Sequence, residues 1–250
     1  MTAKPMTRLP WLSTKVREKR LHTPDSIGLL LENTVGGYLA GQHIDVRLVA
    51  EDGYEARRSY SIASAPGGGD LELLIERLPD GEVSPFIADE LQPGETLDIR
   101  GPVGGHFTWT PSNRRPILLI AGGSGIAPLM SMVRHRSAAP DPAAPALLLY
   151  SARNWLHMAF ADELERLAAL DPSFTFVATT TRETARRPGD FDRRIDMEMR
   201  ATVLASWGGE RHEPACFICG ATGFVEAAAT ALVKLGVPVE AVKTERYGGA

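Results

Sequence analysis

The sequence predicts two architectures in one chain. An N-terminal antiparallel Greek-key β-barrel is expected over residues 1–112, and a C-terminal doubly wound parallel-sheet α/β domain over residues 113–250. Three observations lead there. Short apolar or alternating runs separated by Gly-, Pro- and Asp-containing turns fill the first half. After Pro111-Ser112-Asn113-Arg114-Arg115-Pro116 the rhythm changes to strands alternating with helices. The first strand beyond that point runs directly into a glycine-rich turn and a helix.

In the first half, Ile27–Leu31, His43–Val49, Leu71–Glu76 and Thr96–Arg100 read as strands. One short helix is expected from Ser84 to about Leu91, with Ser84 as N-cap and Pro85 at the favoured first helical position. Several short strands without interleaved helices fit an antiparallel barrel. In the second half Ile117–Ala121, Ala146–Ser151, Phe174–Thr180 and Ala215–Cys219 are the strands. Ile126–Arg136, Met158–Leu170 and Thr222–Leu235 are the helices, the last with Phe224, Ala228, Ala231, Leu232 and Leu235 on one face. Continuous apolar strands alternating with helices indicate a parallel sheet covered on both sides. Pro140 to Pro145 is a Pro/Ala-rich loop.

Composition narrows the function. No apolar run approaches the roughly 20 residues that span a bilayer. Met1 to Pro10 carries Lys4 and Arg8 without a following apolar stretch, so no secretory signal is expected and a cytoplasmic location is the default. The net charge of −4 divides into 11 Lys/Arg against 16 Asp/Glu before residue 113 and 16 against 15 after it, unlike a nucleic-acid footprint. The two cysteines, Cys216 and Cys219, are too few for an iron–sulfur cluster, and no His pair completes a zinc site, so no metal is expected. Their CxxC spacing fits a redox pair, but Phe217 and Ile218 between them read as buried strand, in which i and i+3 face opposite sides.

Three segments carry chemistry. Gly122-Gly123-Ser124-Gly125-Ile126-Ala127-Pro128 joins strand to helix. It serves either a plain βα turn or a pyrophosphate that approaches the backbone and the helix N-terminus, although Pro128 stands where a Rossmann fingerprint has its last glycine. Arg58-Ser59-Tyr60-Ser61 reads as an edge strand with Arg58 and Tyr60 on one face. Gly81-Glu82-Val83-Ser84-Pro85 is a helix start and a second anion-ready terminus.

Together these segments resemble the ferredoxin–NADP reductase superfamily over nearly the whole chain. Arg58 to Ser61 is similar to its Arg-x-Tyr-Ser flavin motif, Gly81 to Ser84 to its Gly-x-x-Ser segment, and Gly101-Pro102-Val103-Gly104 to its Gly-Pro-x-Gly segment. Gly122 to Pro128 is similar to its Gly-Gly-x-Gly-Ile-Ala-Pro loop, and Cys219-Gly220 to its Cys-Gly at the nicotinamide side. The resemblance implies FAD, with Tyr60 packed on the isoalloxazine, Ser61 near flavin N5, Arg58 on the pyrophosphate, and Gly81, Val83 and Ser84 supplying phosphate contacts. It implies a hydride passed from nicotinamide C4 to flavin N5, with Cys219 beside the nicotinamide and Tyr247 as the aromatic near the flavin face.

Nucleotide preference turns on the ribose 2′ position. Ser151 and Arg153 follow one strand with no acid before Asp162, and Arg182, Arg186, Arg187, Arg193 and Arg194 follow the next. That arginine-rich stretch is either a solvated loop or a 2′-phosphate site built with Ser151, Arg153, Arg182 and Arg194, which favours NADPH over NADH. The expected activity is an NAD(P)H oxidoreductase that passes electrons to a separate acceptor, a ferredoxin or iron–sulfur protein. The alternatives are an NAD(P)H:flavin reductase with a small-molecule acceptor, and a flavoprotein electron-transfer or regulatory subunit of a larger complex.

Overall fold

Alternation of buried and exposed side chains builds the first sheet. In the computed structural model, which describes residues 9–139, 144–207 and 214–247, that sheet has six strands. The opening stretch with Lys4 and Arg8, positions 140–143 of the Pro/Ala-rich loop, and the three residues after Tyr247 lie outside the described residues. The strands are β1 (Leu12–Thr23), β2 (Ser26–Leu31), β3 (His43–Val49), β4 (Glu55–Ser61), β5 (Leu71–Glu76) and β6 (Thr96–Val103). Their order is β4-β3-β6-β1-β2-β5, every neighbouring pair antiparallel. The sheet closes where Ile62 bridges Leu73 and the Ala63 N–H donates to Glu72 O at 2.7 Å, so it is a barrel. Val16, Leu29, Ile44, Val46, Leu73 and Ile99 fill its interior.

The expected short helix exists, but Ser84 does not cap it. α1 (Val83–Pro85) begins after Glu82 and continues as a π-type turn over Phe86–Glu90. Ser84 is buried, and its hydroxyl accepts from the Leu78 N–H at 3.1 Å. The serine satisfies a donor of the preceding turn instead of a helix terminus.

The second sheet is parallel, with β7 (Ile117–Gly122), β8 (Ala146–Ala152), β9 (Phe174–Thr180), β10 (Ala215–Ala221) and β11 (Val242–Tyr247) in the order β11-β10-β7-β8-β9. The helices are α2 (Ile126–Ser137), α3 (Ala161–Leu170), α4 (Met197–Ser206) and α5 (Thr222–Lys234). Ile117, Leu119 and Ala121 join a core with α2 and α3, while Leu118 and Ile120 join one with α4 and α5. The strand side chains thus alternate between two helical layers, as a doubly wound sheet requires. Cys219 lies in the first core and Cys216 in the second; both are free and buried.

α3 starts three residues later than its periodicity suggests. Asn154 Oδ1 accepts from the His157 N–H at 3.1 Å and closes a separate turn over Trp155–His157, and Phe160 takes a left-handed φ of 61° before the helix. No helix among the described residues is long and apolar enough to cross a membrane.

The two halves share one core. Ala40, Ala63, Leu74, Phe107 and Trp109 of the barrel pack with α2 and its neighbours. Arg134 of α2 pins the seam: Nη1 donates to Ala63 O at 3.0 Å and to Glu72 at 2.5 Å, while Nη2 reaches Glu163 of α3 at 2.6 Å. His22 meets the other Glu72 oxygen at 3.2 Å and its ring packs 4.3 Å from Phe160. Burial opposes ionisation of Glu72, yet the hydrogen bond from His22 and the charge of Arg134 outweigh it and hold the carboxyl below its usual range.

Candidate functional site

The glycine-rich turn is shaped by close packing. After the wholly buried β7, Gly123-Ser124-Gly125 forms a single tight turn into α2. Gly123 has φ +56°, a conformation that a side chain disfavours. A Cβ on Gly125 would lie 2.4 Å from Cys219 O, so this glycine lets α2 meet the backbone of β10. Cβ atoms on Gly122 and Gly220 would come 2.9 and 2.7 Å from the Phe224 ring, which lies across the ends of β7 and β10.

This turn forms the floor of a cavity of about 560 Å³ between the halves. Gly122, Gly123 and Ser124 line it, as do Ser151, Arg153 and Arg194. Gly125 and Ile126 are buried, as is Pro128, and none of the three lines the cavity. Arg182 does not line it either: its N–H donates to Arg153 O at 2.8 Å, and the neighbouring Thr181 faces the space. The other arginines of the stretch are held in ion pairs, Arg186 with Glu183, Arg187 with Asp190 and Glu165, and Arg193 with Asp196. The solvated-surface reading of the charge run thus describes Arg182, Arg186 and Arg193, which are exposed away from the cavity, while Arg187 is half-buried in its ion pairs.

The barrel supplies two carboxylates that strand-end reasoning within one domain could not reach. Asp25 lies 3.6 Å from Arg153 and 3.8 Å from His157, and Glu76 accepts from Ser124 Oγ at 2.6 Å. Both line the cavity. Tyr247, at the end of β11, donates its hydroxyl to Gly122 O at 2.5 Å and so lies against the glycine turn. Burial pushes its phenol up to about 12.

A second cluster sits where β4 meets the parallel sheet. Ser61 Oγ donates to Glu245 Oε1 at 2.9 Å, joining residues 184 positions apart. Glu245 is in register with Cys219 across β10 and β11. Burial raises the Glu245 carboxyl, against the hydrogen bond from Ser61 and the nearby His43. Burial, reinforced by Glu245, also pushes the Cys219 thiol well above its ordinary range, so it stays protonated at neutral pH. The sequence singles out Ser61, Cys219 and Tyr247, but assigns no role to Glu245, two residues before Tyr247 in the same tail.

Along β4, Tyr60 is half-buried against the barrel core, and its phenol is pushed up to about 12 by burial. Arg58 is exposed, donates to Arg57 O at 2.7 Å, and pairs with no carboxylate among the described residues. An aromatic ring, an uncommitted guanidinium and a hydroxyl thus lie along one barrel edge. Gly81 is half-buried beside Val83 and Ser84, whose side chains are buried.

Residues 13–109 match the oxidoreductase FAD-binding domain and residues 119–230 the oxidoreductase NAD-binding domain. The chain is 38% identical over 136 residues to methane monooxygenase component C of Methylosinus trichosporium, which covers 54% of this chain and 38% of that protein. It is 30% identical to a flavohemoprotein of Bordetella pertussis, over 95% of this chain and 61% of that one. The chain spans about half the length of the curated relatives it matches. A ferredoxin NADP+ reductase from Neisseria gonorrhoeae with bound FAD and NADP superposes with a TM-score of 0.78 at 22% identity, covering 94% of this chain and 98% of that one; at that identity it speaks for the fold. With a flavin-binding and a nicotinamide-nucleotide-binding domain in that order, the chain belongs to the ferredoxin–NADP reductase superfamily and is an FAD- and NAD(P)-binding flavoprotein oxidoreductase.

Proposed function

We propose that this chain is an NADPH-preferring reductase that delivers electrons to a separate protein acceptor, a ferredoxin or iron–sulfur protein. The observation that carries the reading is the pairing of two sites at one seam: the Ser61–Glu245–Cys219 cluster and the glycine-floored cavity with Arg153 and Arg194. FAD, when bound, supplies the two-electron chemistry that accepts a hydride from the nicotinamide and releases electrons onward.

The chain's own residues bind, orient and shield. Arg58 neutralises pyrophosphate charge, with main-chain groups of the Gly81–Ser84 segment beside it. Tyr60 gives the ring system an apolar face, and its high pKa keeps it neutral. Ser61 Oγ and Glu245 form a two-member proton path, since a carboxyl raised by burial can hold a proton and return it to the hydroxyl 2.9 Å away. Cys219, a buried neutral thiol, and Gly220 back the seam at which the nicotinamide is positioned without lining the glycine-floored cavity themselves. Tyr247 covers the glycine turn and must yield when the nicotinamide enters. We place the division between the FAD half and the nucleotide half at residues 112 and 113.

The NADPH preference rests on Ser151, Arg153 and Arg194 lining the cavity, with Arg182 ordering the loop through its backbone. A separate protein acceptor is favoured by relatives that are components of monooxygenases, one of them a reductase component, and the ferredoxin or iron–sulfur class by the superfamily resemblance. Anaerobic stopped-flow reduction tests both. NADPH is expected to bleach the yellow protein much faster than NADH, and comparable rates would refute the preference. Cytochrome c reduction that depends on added ferredoxin is expected; reduction that instead requires free flavin would make the chain a flavin reductase.

A further inference from the structure

Arg200 is buried without a salt bridge among the described residues, although the Asp196 carboxylate at the start of its helix acts on it from a distance. It lies one turn into α4 with 5% of its surface exposed. Its Nε donates to Asp196 O at 2.9 Å, and Nη1 donates to Ala227 O and Ala228 O of α5 at 3.1 Å each. Among the described residues no carboxylate lies within ion-pair distance, and Nη2 has no acceptor. The other deeply placed arginines differ: Arg134 is held by Glu72 and Glu163, and Arg136 by Asp171. A guanidinium cannot shed its proton, so its charge must be met by something. Carbonyl dipoles meet part of it. The Asp196 charge meets a further part, but burial outweighs it and weakens the hold on the proton relative to an ordinary arginine, and the partner of Nη2 is missing among the described residues.

Position supplies that partner. Arg200 lines the same cavity as the Gly122 turn, Ser151 and Arg153. Arg194, six residues earlier and ahead of the helix, lines the cavity and is exposed, without an ion pair among the described residues. We propose that Arg200 is the buried anion-recognition residue of this cavity, donating from Nη2 to a phosphoryl oxygen of the nicotinamide nucleotide while Arg194 closes from its exposed position. This rests on the cavity being the nucleotide site, and it is independent of which nucleotide is preferred. The phosphoryl group comes from either the 2′-phosphate or the pyrophosphate bridge.

The test is calorimetric titration of the FAD-loaded protein with 2′,5′-ADP, 5′-ADP and adenosine, comparing Arg200→Gln with the unaltered chain. Loss of one charge-assisted donor is expected to weaken phosphorylated ligands about 10- to 100-fold. Adenosine, which carries no phosphate, should bind unchanged. Weakening confined to 2′,5′-ADP assigns the 2′-phosphate, and equal weakening of 5′-ADP assigns the pyrophosphate. Affinities within about twofold of the unaltered chain overturn the proposal, and so does an equal loss for adenosine, which would mark collapse of the α4–α5 contact. Should Arg200→Gln fail to fold, Arg200→Lys keeps the charge but lacks the fork; an intermediate loss, about 3- to 10-fold, is expected and no loss is refuting. Equal use of NADH and NADPH by the unaltered chain would end the NADPH preference alone, leaving the 5′-ADP arm to decide on Arg200.

Discussion

Replacing Arg134 with Met tests how the two halves hold together. The guanidinium joins Ala63 and Glu72 of the barrel to Glu163 of α3, and it lies 4.9 Å from the Phe160 ring. Glu72 is only 11% exposed in its side chain, so Arg134→Met leaves an inward carboxylate with His22 as its remaining partner. Breaking such a pair from one side costs about 3–5 kcal/mol. At this chain length that corresponds to a fall in Tm of about 6–20 °C at pH 7.

The pH dependence gives a second reading of the same contact. Because the folded state holds Glu72 below its ordinary value of 4.5, its contribution is fully present above that value and disappears as pH falls through the depressed one. The gap between the unaltered chain and Arg134→Met should therefore shrink in acid. Differential scanning calorimetry from pH 7 to pH 3 measures both effects. A loss under about 1 kcal/mol at pH 7, or a gap that does not change with pH, would refute the reasoning.

Three further outcomes are expected. Glu245 has a raised folded-state pKa, so its contribution is complete below the ordinary 4.5 and is lost as pH rises through the raised value; melting curves of Glu245→Gln should gain on the unaltered chain as pH climbs above 4.5, and parallel curves would contradict this. Tyr247→Ala removes the ring that lies against Gly122 and should tighten NADP+ binding by about tenfold in flavin difference spectra, whereas unchanged affinity would take Tyr247 out of the nucleotide's path. Cys216 and Cys219 should resist Ellman's reagent in the native protein and both react after denaturation, and a native disulfide on mild oxidation would contradict their opposite placement.

What the sequence disclosed depended on how local each signal was. β3, β5 and β9 coincide with their expected limits because their apolar pattern is continuous and their turns are marked. β1 carries Lys15, Arg17, Glu18, Lys19 and Arg20 and shows no clean alternation; it is a strand because β2 and β6 pair with it on both sides. β11 is similarly polar and lies at the sheet edge, with β10 as its one strand neighbour among the described residues. α4 had a readable start, since Asp196 caps Met199 at 2.7 Å, but it follows a charge run that reads as loop. Within the site, Ser61, Cys219, Tyr247 and the glycine turn sit in short segments with local patterns. Asp25 and Arg200 do not, and neither the β5 pattern that ends at Glu76 nor the tail around Glu245 marks the carboxylate itself. All four reach the site through strand order and the docking of the halves, which no window of sequence contains.

The ring of Phe224 has a consequence for how this site can change over time. It rests at once on Gly122 and Gly220, so a side chain at either position meets the same obstacle. The three positions are therefore coupled: a side chain at either glycine displaces the Phe224 ring, and a smaller residue at 224 relieves both positions at once. Two separate stretches of the chain thus share one steric constraint at the cavity.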